Sequence, residues 1–178
     1  ASTPNGPLSM KNIVGKTSQS GRPVVILASH YDTRPMANAA FVGANDGGSS
    51  TGLLLELARI LSQRRNAFTV WFVFFDGEEA QREWSDTDSL YGSRYFVEKL
   101  KADGQTQAIK AMVLMDMVGD RDLKLENDAS STPKLMEMVR KSATELGYGK
   151  HLAASQKGMV DDHIPFIRAG IPAVDLID

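Results

Sequence analysis

The hydrophobic residues of this chain lie in short runs that are separated by longer segments of mixed pattern. The runs are rich in β-branched and aromatic residues, which is typical of strands buried on both faces of a sheet. We predict such strands at 23–29, 68–75, 109–115 and 171–177. A further segment, 121–126, alternates polar and apolar residues and predicts a half-exposed edge strand.

Between the runs, apolar residues recur at the spacing of helices that bury one face. The first group follows hydroxyl residues at 49–51, the second lies near 95–100, and the third lies between Pro133 and Gly147. The predicted faces are Leu53, Leu54, Leu57, Ala58 and Leu61; Tyr95, Phe96 and Leu100; and Leu135, Met138, Val139, Ala143 and Leu146. Alternating strands and helices predict an α/β fold, a three-layer sandwich with a mixed, mostly parallel sheet. The length of 178 residues suits a single domain.

The composition of the chain argues against several classes of function. The chain is 42% hydrophobic and 24% charged, with a net charge of -2 and no basic block, so we expect no nucleic-acid partner. No apolar run approaches the roughly 18 residues of a membrane-spanning helix, so we expect no such segment. Cysteine is absent, which excludes disulfides and thiolate metal sites.

Titratable residues follow the predicted strand ends. In open α/β sheets, ligands bind outside the carboxyl ends of the strands, so we expect these residues to meet at one rim. The segments are SHYDT with His30 and Asp32, GANDGGSS with Asp46, DGEEA with Glu78 and Glu79, LMDMVGD with Asp116, and GMVDDHIPF with Asp161, Asp162 and His163.

Each of these residues alone has an ordinary explanation. Asp46 suits a turn, adjacent Glu78 and Glu79 suit a solvated loop, and Asp116 suits a cap. His163 suits a hydrogen-bonded core position, and Trp84 suits packing. Together, however, so many carboxylates at one rim would repel each other unless a cation were present.

Carboxylates with imidazole and without thiols favour catalytic zinc over calcium. The sequence also predicts how the two adjacent glutamates divide their work. Gly77 would let their side chains diverge, so that one binds the metal and the other serves as general base.

The motifs SHYDT, GANDGGSS, FFDGEEA, LMDMVGD and DDHIPF occur in the order typical of the zinc aminopeptidase family that includes the glutaminyl cyclases. From about residue 12 to 178 the chain resembles that family, and Trp84, DSLYGSR and DDHIPF are similar to its glutaminyl cyclase branch. The resemblance implies a zinc exopeptidase-like fold and the formation of N-terminal pyroglutamate from glutaminyl peptides, with release of ammonia.

The resemblance also implies roles for individual residues. Asp46 and Glu79 would hold one zinc ion, and Glu78 would shuttle a proton. Asp116 and Asp162 would stabilise the reacting amide, while Trp84 and His163 would bind the substrate, the N-terminus of a peptide or protein.

The family's third zinc ligand is a histidine beyond the last strand, and this chain has none there. We therefore expect a piece that lacks N-terminal helices and a C-terminal segment, with an incomplete zinc site. The opening ASTPNGPLSMKN has no signal-peptide pattern and resembles a chain entering a strand. A secreted or periplasmic location is expected by analogy.

Two other functions remain open. In a two-zinc aminopeptidase, His30 and Asp116 would bind a second metal, Asp46 would bridge, and Glu78 would activate a water molecule. The other alternative is an inactive, metal-free binding domain.

Overall fold

The computed structural model describes residues 1–18, 21–36 and 39–178. Its strands are β1 (Ser2–Thr3), β2 (Gly6–Pro7), β3 (Ile13–Lys16), β4 (Val24–His30), β5 (Thr69–Phe75), β6 (Ile109–Asp116), β7 (Leu125–Asp128), β8 (Leu152–Lys157) and β9 (Ala173–Ile177). Its α-helices are α1 (Gly48–Ser62), α2 (Tyr91–Ala102), α3 (Pro133–Glu145) and α4 (Ile164–Arg168). Short 3-10 helices lie at Thr106–Ala108 and Gly149–His151.

The central sheet has the strand order β3-β5-β4-β6-β9. Strand β3 is antiparallel to β5, and the other neighbouring strands are parallel. Helices cover both faces, so the predicted three-layer α/β fold with a mixed, mostly parallel sheet is confirmed. Two smaller sheets, β1-β2 and β7-β8, lie outside it.

Strand β5 shows why the sheet forms from continuous apolar runs. All seven of its residues are buried. Trp71, Val73 and Phe75 pack on one face with residues of α2 and α4, and Phe72 and Phe74 pack on the other with Leu54 of α1. Because side chains alternate between faces and both faces are covered, every position of the strand after Thr69 is apolar.

Aromatic contacts place α2 and α4 against the sheet. The rings of Phe75 and Phe96 lie edge to face with centroids 5.8 Å apart, and Phe166 of α4 lies 6.1 Å from Phe75. Phe166 is fully buried. Burying one such ring contributes about 1.5–3 kcal/mol, which helps fix α4 beside the carboxyl ends of the strands.

The edge strand predicted at 121–126 is confirmed only in part, because the observed strand overlaps the end of that segment and is an edge of a two-stranded sheet. The strand runs over Leu125–Asp128 and pairs with β8 in a separate two-stranded sheet. The edges of the central sheet are β3 and β9. Alternation along a segment indicates which residues share a face, but it does not indicate the partner strand. Strand β8 and helix α4 were not predicted.

The three predicted helices are confirmed, but parts of their expected apolar faces are exposed. Leu53 is 40% exposed, Met138 56%, Tyr95 69% and Leu146 72%. Each helix covers only part of the sheet, so a periodic apolar face is wider than the surface against which it packs.

Candidate metal centre and active site

The carboxyl ends of the parallel strands bring together the acidic segments. His30 ends β4, Asp116 ends β6, and Asp46 lies in the turn before α1. The Nε2 atom of His30 lies 3.1 Å from Oδ1 of Asp46 and 3.1 Å from Oδ1 of Asp116. One ligand atom from each of these residues lies within 4.8 Å of the others. We call these three residues, with Glu78 and Glu79, the open cluster.

The turn that carries Asp46 depends on Gly47. Its φ of +80° is in the left-handed region, and a Cβ there would lie 2.8 Å from the carbonyl oxygen of Asp32 and 3.0 Å from Cε1 of His30. Only glycine avoids both the strain and the collision. The glycine-rich loop therefore lets the Asp46 turn approach the imidazole of His30 closely.

Asp32 holds the backbone of the two adjacent glutamates. Its Oδ1 accepts the N–H of Glu78 at 3.1 Å, and its Oδ2 accepts the N–H of Glu79 at 3.2 Å. Gly77 just before them has φ +68°, which turns the chain sharply after β5. The peptide units of both glutamates are thus fixed by one carboxylate, which also lies 3.5 Å from Nδ1 of His30.

The two glutamates face different charges. Burial, then Asp161 and Asp162, raise the pKa of Glu78 to about 11. Burial, then Asp46, raise the pKa of Glu79 to about 7. The charge of Asp46 thus raises the pKa of Glu79, whereas the charges of Asp161 and Asp162 raise the pKa of Glu78.

His30 is the central positive group of this arrangement. Burial alone would lower its pKa, but the carboxylates of Asp116, Asp32 and Asp46 raise the pKa far above its ordinary value. In return, the imidazole of His30 lowers the pKa of Asp46. Several carboxylates share this one ring, so protons or a cation must neutralise the remainder.

The donor set fits a divalent metal ion. It consists of carboxylate and imidazole atoms close enough to share one ion, and the Asp46 side chain is 32% exposed, which leaves a path from solvent. Asp46 and Glu79, the two predicted zinc ligands, lie on the same side of the open cluster.

A second group of acids lies deeper. Asp128, His163 and Asp175, which we call the closed cluster, also bring three ligand atoms within 4.8 Å of one another. Nε2 of His163 lies 3.2 Å from Oδ2 of Asp128, and its Nδ1 lies 3.8 Å from Oδ2 of Asp175. Their side chains are fully buried.

The position of His163 differs from the one expected. Its imidazole is buried between two carboxylates and has no exposed surface, so its position gives no support to substrate binding. It matches the ordinary alternative of a core histidine. The preceding Asp161 and Asp162 are buried as well, and burial, above all, raises the pKa of Asp162 to about 7.

Two other predicted site residues, Asp116 and Trp84, differ in their exposure to solvent. Asp116 is 6% exposed, and its Oδ1 accepts the N–H of Met117 at 2.8 Å. Trp84 is 41% exposed, in the loop that follows Glu79. Their predicted roles stay predictions.

Sequence reasoning missed the carboxylates of the closed cluster. Asp175 had a usable signal, because it is a single acid within the apolar strand β9, and such a buried charge requires a partner. Asp128 had no such signal, since it follows Asn127 and precedes small residues, a composition typical of any turn.

Residues 12–178 match Peptidase family M28. The chain is 34% identical to the glutaminyl-peptide cyclotransferase-like protein of Bos taurus, over 99% of this chain and 53% of that protein. The chain therefore spans about half the length of the curated relatives that it matches.

Solved structures of a glutaminyl cyclase and of a zinc-dependent exopeptidase have a similar fold. A glutaminyl cyclase from an Acidobacteriales bacterium superposes with a TM-score of 0.96 at 42% identity, covering 100% of this chain and 61% of that one. A Zn-dependent exopeptidase from Parabacteroides distasonis gives a TM-score of 0.88 at 27% identity, over 99% and 67% of the respective chains. The resemblance to the glutaminyl cyclases is therefore confirmed, and the chain belongs to Peptidase family M28.

Proposed function

We propose that this chain forms the core of a zinc-dependent glutaminyl-peptide cyclotransferase, an acyltransferase that converts N-terminal glutaminyl residues into pyroglutamyl residues and releases ammonia. The observation that carries the proposal is the convergence of the open cluster on a fold that superposes along its whole length on a glutaminyl cyclase. The substrates would be the N-termini of peptides or proteins.

Asp46 and Glu79 would hold the zinc ion, which when bound supplies a Lewis acid that polarises the γ-amide carbonyl of the substrate. The raised pKa of Glu79 supports this assignment, because a cation would relieve the repulsion from Asp46 that contributes to it. His30 would stay beside the metal ligand Asp46 and hold it in place through the 3.1 Å contact.

Glu78 would carry the proton. The attack of the α-amine on the carbonyl carbon of the γ-amide forms the carbon–nitrogen bond of the ring, and the amine must lose a proton. The leaving nitrogen must gain one, because ammonia departs far more readily than amide ion. Burial and the nearby carboxylates raise the pKa of Glu78, which makes its carboxylate a stronger base. A bound cation would favour the ionised form, in which the Glu78 carboxylate can accept the proton of the amine and then, as the carboxyl, donate it to the leaving nitrogen.

The remaining residues would orient the reacting groups. Asp116 and Asp162 would accept hydrogen bonds near the amide, and Trp84 would form the wall of the substrate pocket. Because amine and electrophile belong to one residue, orientation alone lowers the barrier to ring closure. For His163 we propose only an indirect effect on the substrate, since its ring is buried.

We propose that the chain is a single catalytic domain whose complete zinc site needs a histidine from outside residues 1–178. The family pattern supports this, and so does the partial coverage of its relatives. Among the described residues no helix is long and apolar enough to cross a membrane. Export to a secreted or periplasmic location is part of the proposal, by analogy with the family.

A two-zinc aminopeptidase is the second candidate, and one observation favours it. The triad of His30, Asp46 and Asp116 has the spacing of a metal site without Glu79, as a second ion would require. An inactive, metal-free domain is the third candidate, and it requires that the open cluster stay without metal.

One experiment compares the three candidates. The purified full-length protein is loaded with zinc, its metal content is measured, and a glutaminyl peptide and a leucine anilide are offered side by side. We expect one equivalent of zinc and ammonia release from the glutaminyl peptide alone. Faster release of aniline with two equivalents of zinc would favour the aminopeptidase, and absence of both zinc and turnover would favour the binding domain.

A matched pair of variants tests the zinc ligands. Glu79→Ala should lose the metal, because it removes a carboxylate on the Asp46 side. Glu83→Ala, an exposed glutamate of the same loop, should keep it. Equal zinc content in the two variants would contradict the assignment of Glu79.

A further inference from the structure

The segment between β5 and α2 is a loop closed at its base. The N–H of Leu90 donates to the carbonyl of Glu78 at 2.9 Å, and the N–H of Tyr91 donates to the carbonyl of Gly77 at 2.8 Å. A loop of this length with adjacent ends is an Ω-loop, a compact unit held by its own contacts. It carries Glu78 and Glu79 at its start and Trp84 in its middle.

The carboxylate of Asp88 lies at the centre of this loop. Its Oδ2 accepts the backbone N–H of Arg82 at 2.9 Å and that of Glu83 at 3.0 Å. Its Oδ1 accepts the N–H of Gln81 at 2.9 Å and the hydroxyl of Tyr91 at 2.7 Å. One side chain thus binds three consecutive backbone donors in the segment that joins Glu79 to Trp84.

These contacts hold Asp88 in its ionised form. Burial would raise its pKa, but the hydrogen bonds from Tyr91 and from the backbone of Glu83, Gln81 and Arg82 lower the pKa to about 2. The residue is 3% exposed. Hydrogen bonds to a charged acceptor are about twice as strong as neutral ones, so the carboxylate is a firm anchor for the segment.

Other residues of DSLYGSR also contact the loop rather than the body of α2. The hydroxyl of Ser89 donates to the carbonyl of Ser85 at 2.8 Å. Nη1 of Arg94 donates to the carbonyl of Asp86 at 2.8 Å, and its guanidinium lies 5.0 Å from the ring centre of Tyr91. The motif therefore shapes the loop, which explains why it accompanies DGEEA and Trp84 in one sequence.

We propose that Asp88 is a positioning residue that determines substrate binding through Trp84. It fixes the peptide units of 81–83, so the half-exposed indole that follows them is presented in one orientation. Asp88 itself is buried and touches no substrate. The proposal rests on the proposed function, in which Trp84 contacts the glutaminyl residue.

The test compares two substitutions that remove the same charge from the same loop. Asp88→Asn replaces one acceptor oxygen with an amide that cannot accept. Asp86→Asn is the control, because the Asp86 side chain is 80% exposed and its ion pair within the described part of the chain is with Arg168, at 3.5 Å. In the zinc-loaded protein we expect Asp88→Asn to raise KM for a glutaminyl peptide about tenfold, with kcat within about threefold and zinc content unchanged. Asp86→Asn should leave both constants as they were.

A double-mutant cycle shows whether the effect passes through the indole. Trp84→Ala should raise KM by itself, and adding Asp88→Asn should then raise it no further, since coupled residues are not additive. Additive effects on KM would overturn the proposal. So would a loss of kcat without a change in KM, because that result assigns Asp88 to the glutamates instead.

A third measurement needs no turnover. Trp71 is 8% exposed and Trp84 is 41% exposed, so acrylamide quenches mainly the fluorescence of Trp84. Asp88→Asn should increase quenching, and Tyr91→Phe, which removes one of the four hydrogen bonds to Asp88, should increase it less. Unchanged quenching in Asp88→Asn would overturn the proposal even if the protein had no cyclase activity. Increased quenching without activity would refute the proposed function alone.

Discussion

The open and closed clusters have similar composition and different surroundings. Each contains a histidine whose ring contacts carboxylates. The ring of His30 lies 3.1–3.9 Å from those of Asp32, Asp46, Glu78 and Asp116, and the ring of His163 lies 3.2 Å and 3.8 Å from those of Asp128 and Asp175. The open cluster reaches solvent through Asp46, whose side chain is 32% exposed, whereas the side chains of the closed cluster are fully buried. Residue types and spacing alone would therefore predict two metal sites of equal merit.

Hydrogen bonding separates the two. In the closed cluster, Asp128 accepts the N–H groups of Ser130 and Met159, each at 2.9 Å, and the hydroxyl of Ser131 at 2.6 Å. Its charge is already stabilised. These hydrogen bonds belong to Asp128, whereas neither carboxylate oxygen of Asp175 has a hydrogen-bond partner among the described residues.

The open cluster lacks such stabilisation where it matters for chemistry. The carboxyls of Glu78 and Glu79 have raised pKa values, whereas hydrogen bonds lower the pKa of Asp128 in spite of its burial. A carboxylate that the protein leaves poorly stabilised is available for a cation or a proton. The pKa of Asp175 in the closed cluster is raised as well, so a raised carboxyl pKa alone does not indicate a functional site. The open cluster differs because the Asp46 side chain is 32% exposed, which gives a cation access to it.

The largest expected effect is on turnover in the open cluster. Glu78→Gln removes the proton carrier but keeps its size, so kcat should fall about a thousandfold while the zinc content stays the same. Steady-state kinetics and elemental analysis measure the two quantities. Glu83→Gln, an exposed change in the same loop, is the control. A kcat near that of the wild type would contradict this prediction, because the open cluster would then lack its proposed chemistry.

The second-largest expected effect is a loss of folding stability when Asp128 of the closed cluster is replaced. Asp128→Asn removes a charged acceptor from two backbone N–H groups, a hydroxyl and His163, so the free energy of unfolding should fall by about 3 kcal/mol. Urea unfolding measures it, and zinc content should not change. Loss of zinc in this variant would show that the closed cluster is itself a metal site.

The free energy of unfolding of Asp128→Asn should also depend on pH differently from that of the wild type. Because the folded-state pKa of Asp128 is lowered, its contribution to stability is present above its ordinary pKa, near 4, and is lost as the pH falls toward the folded-state value. The variant should therefore lose less stability than the wild type when the pH falls below about 4. An identical acid dependence would contradict the role given to its carboxylate.

The smallest effect is expected at Asp175. Burial, then the charges of Asp161 and Asp116, raise the pKa of Asp175 well above its ordinary value. A raised carboxyl pKa means that stability falls as the pH rises above the unfolded-state value, near 4. Asp175→Asn removes this cost, so its free energy of unfolding relative to wild type should improve from pH 5 to pH 8. Urea unfolding at both pH values measures the change, and the opposite trend would show that Asp175 is ionised and stabilised by His163.

Many of the strands and helices were predictable because the residue patterns that indicate them lie within short segments of the chain. The run at 68–75 predicts a buried strand from composition alone, since a strand that is covered on both faces is apolar at nearly every position, and Thr69 is the one polar residue of β5. The strand predicted at 121–126 was placed too early in the chain, and its partner β8 was not predicted, because strand pairing is a long-range property. In the site, Asp46 and Glu79 were predicted from motifs that end strands or begin a helix. The environment of His163 was not, because its partners Asp128 and Asp175 lie far from one another in sequence.

The sequence by itself determined the α/β class, the family and the set of acids at the carboxyl ends of the strands, because apolar periodicity and motif order are written in neighbouring residues. The tertiary structure decided which acids meet, which of them reach solvent and which are already satisfied by hydrogen bonds. Burial and pairing depend on segments that are distant in the chain, and they set the free energy of each charge. A list of carboxylates therefore becomes a candidate active site only when the fold brings them together.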